Sequence, residues 1–120
     1  MNRIKFTLPS VGLLELTEVE GVVWVEDGFL VLEIKQSLAG LVNTDSEVVK
    51  IEPNALKEIY LQRRLFKDRL VLVPKKTDLL NAIPGKHISD VQLRIWRTKR
   101  FQIERLIEEF HEVQWDLLAE

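Results

Sequence analysis

The sequence predicts a mainly β domain, a bent antiparallel barrel of about seven strands capped by one C-terminal amphipathic α-helix. Apolar residues recur with a period of two through most of the first hundred residues, as expected of strands. After Arg97 the period changes to 3.6, which indicates one long helix. A chain of 120 residues with 46% hydrophobic and 30% charged residues has the size and composition of one folded unit. Residues 1–120 are therefore predicted to form a single domain, with its strands within 3–97.

Two hairpins are predicted in the first 36 residues. An alternating run at 4–8, a turn at 9–12 and a second apolar run at 14–16 form the first hairpin. The second hairpin lies within residues 22–36 and turns at Asp27-Gly28, which is a strong two-residue turn signal.

The middle of the chain has a less regular pattern. Residues 37–46 contain Gly, Asn and Asp and are predicted to be a loop, followed by a short strand at 49–51 that Pro53 stops. Residues 55–64 suit either a strand or a helical face. The apolar segment 70–73 follows after a short polar tip, so the context favours a hairpin of two strands.

The last elements are a single helical turn at 77–82, a strand around 91–95 and a helix over about 98–118. Thr98 is the predicted N-cap of this helix, which would be roughly 30 Å long. Its apolar stripe consists of Ile103, Leu106, Ile107, Phe110, Val113 and Leu117.

Residues suited to catalysis or metal binding are scarce. The chain has no cysteine, and its two histidines, His87 and His111, have no acidic or serine neighbours at a catalytic or metal-binding spacing. The glycines are isolated, so no phosphate-binding loop is predicted. We expect no catalytic residue, no metal and no cofactor, and therefore a protein that is not an enzyme.

Net charge and hydropathy indicate which classes of partner and which cellular compartment to expect. With 17 basic and 19 acidic residues the net charge is -2, which gives no overall attraction to nucleic acid, and none is expected as a partner. No apolar run approaches about 18 residues and no signal peptide is visible, so we expect a cytoplasmic protein.

A hairpin over 21–33, the strand Val49-Lys50-Ile51-Glu52-Pro53, Ile59-Tyr60-Leu61, a tip at 64–70 and a final helix follow one another in this chain. This order resembles the pleckstrin-homology-like superfold, in particular the small bacterial PH-like and GRAM-like domains, over roughly residues 13–118. The resemblance implies a scaffold shared by lipid binders, peptide binders and self-assembling modules, so the fold alone does not define the function.

Lipid-binding PH domains place several Lys and Arg residues on the first hairpin. This chain departs from that pattern because the corresponding residues are acidic, namely Glu15, Glu18, Glu20, Glu26 and Asp27. Binding of a lipid headgroup at the usual site is therefore not expected from the resemblance.

The strongest basic segment lies elsewhere, since eleven basic and three acidic residues fall between 61 and 100. We predict a possible anion- or lipid-binding site consisting of Arg63, Arg64, Leu65, Phe66, Lys67, Arg69, Lys75 and Lys76. In the alternative, Leu65 and Phe66 fold back over the end of the barrel and the charges keep the tip soluble.

Three aromatic residues are candidates for a protein interface. Trp96 is predicted on the outer face of the last strand, and Phe101 and Trp115 fall off the apolar stripe of the helix. The alternative is that loops at the helix ends bury them. The sequence thus favours a non-catalytic module that binds a protein partner or forms a homo-oligomer, and peripheral binding to an anionic membrane through residues 63–69 is the second hypothesis.

Overall fold

Seven antiparallel strands and a C-terminal helix account for most of the chain that our computed structural model describes, namely residues 3–11, 17–38, 41–83, 87 and 89–119. The strands are β1 (Ile4–Val11), β2 (Thr17–Glu26), β3 (Phe29–Leu38), β4 (Leu41–Ile51), β5 (Leu56–Gln62), β6 (Lys67–Pro74) and β7 (Val91–Trp96). The helices are α1 (Asp78–Ala82) and α2 (Arg100–Ala119), with short 3₁₀ turns at Pro53–Ala55 and Arg97–Lys99. The predicted mainly β class, with about seven strands and one long C-terminal helix, is confirmed.

The strands form one sheet in the order β4-β3-β2-β1-β7-β6-β5, which leaves β4 and β5 at the two edges. The sheet is therefore unclosed, unlike a complete barrel. Helix α2 contacts both β2 and β5 and covers apolar surface that closure of the barrel would otherwise bury.

The sheet has two halves that meet between β1 and β7. Within the described residues these strands are aligned at one pair, Thr7 with Arg94. In contrast, β2 and β3 are aligned along their whole length, from the pair of Thr17 with Leu38 to the pair of Glu26 with Phe29. The junction of the halves is consequently the least extensively paired part of the sheet.

The predicted turn at Asp27-Gly28 is confirmed, because both residues have positive φ, 51° and 83°, as a two-residue turn of the I′ type requires. The predicted loop at 37–46 is wrong. β3 extends to Leu38 and β4 begins at Leu41, with Ser37 aligned to Val42. Pairing with a neighbouring strand outweighs the weak strand preference of the polar residues in this segment.

The predicted turn at 9–12 is also corrected, since β1 continues through Pro9 to Val11. The register with β2 shifts between Leu8 and Val11, and such an irregularity is where a strand tolerates proline. The apolar run at 14–16 lies outside the described residues.

Residues 55–64, which suited a strand or a helix, contain strand β5. It is aligned with β6, in which Leu70, Val71 and Leu72 are completely buried although they point to alternate faces. The chain itself therefore covers both faces of this apolar strand.

Helix α2 completes the core through Ile103, Leu106 and Phe110, which are buried with the inward residues of the sheet. The amide of Gln114 donates a hydrogen bond of 2.8 Å to the carbonyl of Pro53 and fixes the second half of the helix. Leu117 belongs to the predicted apolar stripe but is half exposed, because the last turn extends beyond the core.

The N-cap prediction for Thr98 is wrong. Thr98 lies inside the 3₁₀ turn Arg97–Lys99, which continues directly into α2 at Arg100. The start of the helical segment is set instead by a hydrogen bond of 3.1 Å from the backbone N–H of Arg97 to the carbonyl of Phe66.

Two phenylalanines on α2 provide a matched test of this packing. Phe110 is fully buried and Phe101 is 68% exposed. We expect Phe110→Ala to lower the free energy of unfolding by about 3–5 kcal/mol, because it removes a large side chain and leaves a cavity, whereas Phe101→Ala should change it by less than about 0.5 kcal/mol. Urea denaturation measures both, and equal effects would contradict the described orientation of the helix.

Candidate functional site

The tip of the β5–β6 hairpin, residues 63–66, is attached to the beginning of α2. The attachment depends on Asp68, the one acidic residue of the segment 63–69, which is only 1% exposed. Its carboxylate accepts two hydrogen bonds from Arg100, of 2.7 Å from Nε and 2.8 Å from Nη2. It also accepts a bond of 2.9 Å from the backbone N–H of Arg64, so the carboxylate holds the hairpin tip and the helix together.

The electrostatics of this pair follow from the same contacts. The hydrogen bond from Arg100 is the main cause that holds the pKa of Asp68 below its ordinary value of 3.8, and it outweighs the opposing effect of burial. Conversely, the hydrogen bond to Asp68 raises the pKa of Arg100. Both groups are charged at neutral pH.

Two further arginines attach the tip to the helical segment. Arg97 donates a hydrogen bond of 3.1 Å from Nη1 to the carbonyl of Leu65, and Arg63 forms a 2.9 Å ion pair with Glu104 on α2. Arg63, predicted as an anion-binding residue, is therefore engaged by an acid of the same chain. The tip is therefore held in place by its contacts with the helical segment.

The apolar residues at the tip point into solvent. Leu65 is 72% exposed and Phe66 is 65% exposed, so they do not fold back over the end of the sheet. That alternative is wrong, because the carbonyls of both residues accept hydrogen bonds from Arg97, which hold the tip in place while its side chains face outward.

A groove of about 500 Å³ begins at this tip and runs along the outer face of β6 and β7. We call its lining the tip surface: Arg64, Leu65, Phe66, Lys67, Arg69, Arg94 and Trp96. The ammonium of Lys67 lies 4.7 Å from the ring centroid of Trp96 and forms a cation–π contact. An adjoining groove of about 410 Å³ shares Lys67, Arg94 and Trp96 and is also lined by two lysines and two glutamates, namely Lys5, Lys35, Glu20 and Glu33.

Strand register places two like charges opposite each other in the tip surface. Arg69 on β6 is aligned with Arg94 on β7, and a like-charged pair at such a position is destabilising. Burial, and then the charges of Arg94 and Arg64, lower the pKa of Arg69. No ion pair to Arg69 or Arg94 is found among the described side chains. The tip surface therefore carries positive charge that no ion pair among the described side chains neutralises.

Lys75 and Lys76 do not belong to this surface. They follow the end of β6, whereas the tip precedes its first residue, so the eight-residue strand separates them from the tip by roughly 25 Å. They line a different groove with Lys50, Glu52 and Asp78. The structure thus divides the predicted basic set between the two ends of one strand.

The three candidate interface aromatics are exposed but do not form one surface. Trp96, which is 58% exposed, belongs to the tip surface, while Phe101 and Trp115 are 68% and 72% exposed on α2. At 100° per residue Phe101, Glu108, Glu112 and Trp115 fall within about 60° of one another, on the side opposite the buried stripe. We call these four residues the helix surface. Phe101 and Trp115 are about 21 Å apart along the axis.

The helix surface has acidic character in its second half. Glu108 and Glu112 are exposed, as are the adjacent Glu109 and Asp116, and the described side chains show no ion pair to any of them. Near the other end, the guanidinium of Arg105 lies 5.7 Å from the ring centroid of Phe101. One side of the helix therefore presents a solvent-facing aromatic residue near each end and carboxylates between them.

Other classes of site find no support in the part of the chain that the structure describes. No group of three or more His, Asp or Glu side chains is placed there to hold a metal ion. His111 is exposed on α2. No helix in the described residues combines the length and apolarity needed to cross a membrane.

The sequence prediction missed Asp68 and Arg94 as parts of the site. An acidic residue inside a basic segment was a signal for Asp68, because burial of such a residue requires a cationic partner. Arg94 alternates with the inward residues of its strand, but its alignment with Arg69 depends on a register that one sequence does not reveal.

Comparisons with known proteins give no further assignment: no family model, no curated protein and no solved structure matches this chain.

The Asp68–Arg100 pair predicts a specific pH dependence of stability. We expect Asp68→Asn to lower the free energy of unfolding by roughly 2–3 kcal/mol at pH 7, because it weakens the buried acceptor of three hydrogen bonds. Since the folded-state pKa of Asp68 lies below 3.8, its contribution is present above that value and is lost as the pH falls through the lower folded-state pKa. Urea denaturation should show a constant difference between wild type and variant down to about pH 5 and a shrinking difference below about pH 4.

Glu104→Gln is the matched control for this prediction. Glu104 also pairs with an arginine between hairpin and helix, but both side chains are exposed, so the change should cost less than about 1 kcal/mol. An effect of Glu104→Gln as large as that of Asp68→Asn would contradict the assigned role of the buried pair.

Proposed function

We propose that this protein is a non-catalytic protein-interaction or assembly module of the cytoplasm, built on a PH-like scaffold. The observation that carries the proposal is the presence of two surfaces of opposite charge, each with exposed aromatic residues: the basic tip surface and the partly acidic helix surface. Aromatic residues rimmed by charges are the usual composition of the energetically important centre of a protein interface.

Neither surface has an evident role within the domain. The tip surface keeps Leu65, Phe66 and Trp96 in solvent although Asp68 and Arg97 fix the backbone around them. A rigidly presented apolar group gains most when a partner covers it, because little conformational entropy is lost on binding. The order of seven antiparallel strands followed by a helix supports the PH-like scaffold, on which such surfaces are known to vary.

Site-specific photocrosslinking tests the proposal. A benzoylphenylalanine residue in place of Trp96 or Trp115 should form covalent adducts with one defined protein species in intact cells, since both positions are exposed at proposed contact surfaces. The same residue in place of Lys76, which is exposed at the far end of β6, is the control. Adducts at Lys76 in equal yield, or no protein adduct at Trp96 and Trp115, would refute the proposal.

Peripheral binding to an anionic membrane is the second candidate function, and the tip itself is the observation that favours it. Leu65 and Phe66 lie at the end of a braced hairpin beside Arg64 and Lys67. Insertion of the two apolar side chains contributes roughly 1.5–3 kcal/mol each, and a cation near an anionic surface contributes about 1 kcal/mol. A membrane contact at the tip would, however, leave Trp115 uncovered, which is why we place this function second.

Vesicle flotation tests the membrane hypothesis. If it holds, the protein should float with vesicles of phosphatidylcholine and phosphatidylserine but not with phosphatidylcholine alone, and binding should weaken as salt rises. Arg64→Glu with Lys67→Glu should abolish flotation, as should Leu65→Ser with Phe66→Ser. The matched controls are Lys75→Glu with Lys76→Glu for charge and Trp115→Ser for apolar surface, and loss of flotation in the controls would argue against a site at the tip.

A further inference from the structure

We infer that the tip surface of one molecule binds the helix surface of a second copy of this chain. The inference rests on the proposed interaction function and names the partner as the protein itself. Both halves of the contact are present on every molecule, and neither overlaps the other, because one lies on the outer face of β6 and β7 and the other on the outward side of α2.

Charge complementarity selects this partner. The tip surface contributes four cations, Arg64, Lys67, Arg69 and Arg94, and the described residues supply no acidic group that pairs with them. Helix α2 contributes four exposed carboxylates, those of Glu108, Glu109, Glu112 and Asp116, which are equally unpaired among the described residues. Opposite potentials of this kind steer association and fix the register of the contact.

The apolar groups of the two surfaces are complementary as well. Trp115 lies among the carboxylates of one surface, and Phe66 and Trp96 lie among the cations of the other. An indole that enters the groove of about 500 Å³ would contact aromatic rings and also the guanidinium groups that line it. The contact thereby combines apolar burial at its centre with ion pairs around it.

The position of the carboxylates supports a role in binding. Asp116 lies in the last turn of α2, where the negative end of the helix dipole disfavours a carboxylate, and that turn contains no basic residue. The buried stripe of α2 does not need these carboxylates, because the core contacts come from Ile103, Leu106 and Phe110 on the opposite side. A cationic surface on a second molecule would compensate this arrangement.

The size of the two surfaces sets the expected strength. Each consists of fewer than ten residues, whereas a stable interface of standard size uses about 20–30 on each side. We therefore expect weak association, visible above about 10 µM protein and reduced several-fold between about 50 and 500 mM salt, where the Debye length falls below the span of the charged groups.

A charge-swap experiment tests the inference. Variant A carries Arg64→Glu and Lys67→Glu in the tip surface, and variant B carries Glu108→Lys and Glu112→Lys in the helix surface. In sedimentation velocity each variant alone should associate at least about tenfold more weakly than wild type, because like charges now face each other. An equimolar mixture of A and B should recover association to within about threefold of wild type, because the unchanged tip surface of B meets the unchanged helix surface of A and the two inverted surfaces are complementary to each other.

Controls separate this contact from unfolding and from other contacts. Lys75→Glu with Lys76→Glu changes the charge by the same amount at the far end of β6 and should leave association unchanged. Phe66→Ser and Trp115→Ser test the same contact without a change of charge, so the inference can be tested even if A or B unfolds. Urea midpoints verify that each variant is folded.

Several outcomes would overturn the inference: a monomeric wild type at about 1 mM, undiminished association of A and B alone, or a mixture that fails to recover association. These failures are distinguishable from failure of the proposed function. Photocrosslinks from Trp96 or Trp115 to a different protein, with a monomeric wild type, would retain the interaction function and reject the second copy as partner.

Discussion

The ion pair between Asp68 and Arg100 is the interaction on which the functional part of the structure depends. It joins Asp68, two residues before the buried segment 70–72 of β6, to the first residue of α2, and its carboxylate also fixes the backbone of the hairpin tip at Arg64. A buried carboxylate is unfavourable unless its hydrogen-bonding capacity is used, and here three donors satisfy it. The pair therefore ties the first residue of α2 to the hairpin tip and helps to orient that tip.

The contacts around the Asp68–Arg100 ion pair explain how the tip surface and the helix surface are presented. Because the tip is held by Asp68, Arg97 and Arg63, the exposure of Leu65 and Phe66 is a property of the folded structure. Because the helix starts at a fixed point, its buried stripe is in register with the core, and Phe101 and Trp115 are directed into solvent. One buried contact thus presents aromatic residues at two places without itself being accessible to a partner.

The sequence predicted the elements that depend on periodicity and turn chemistry, and it failed where pairing between distant strands decided the outcome. The alternation of apolar and polar residues and the turn at Asp27-Gly28 were sufficient to predict the second hairpin. The 3.6-residue period was sufficient to predict α2. Residues 37–38 and 41–46 belong to strands β3 and β4 because each strand has a neighbour to pair with, which local composition does not encode. The register of β6 with β7, which one sequence does not reveal, makes Arg69 and Arg94 neighbours. The length of β6 likewise places Lys75 far from the tip.

The charge distribution has a physical consequence for an isolated molecule, because stability is given up at two separate places. Arg69 and Arg94 repel each other across adjacent strands, and the carboxylate of Asp116 in the last turn of α2 is disfavoured by the helix dipole. Neither arrangement contributes to the core, since each lies on an outward face. The charges at the two places have opposite sign, so one contact between a tip surface and a helix surface would reduce both costs together. The core needs neither arrangement, so both outward faces are free to carry charge for a complementary contact of the kind proposed above.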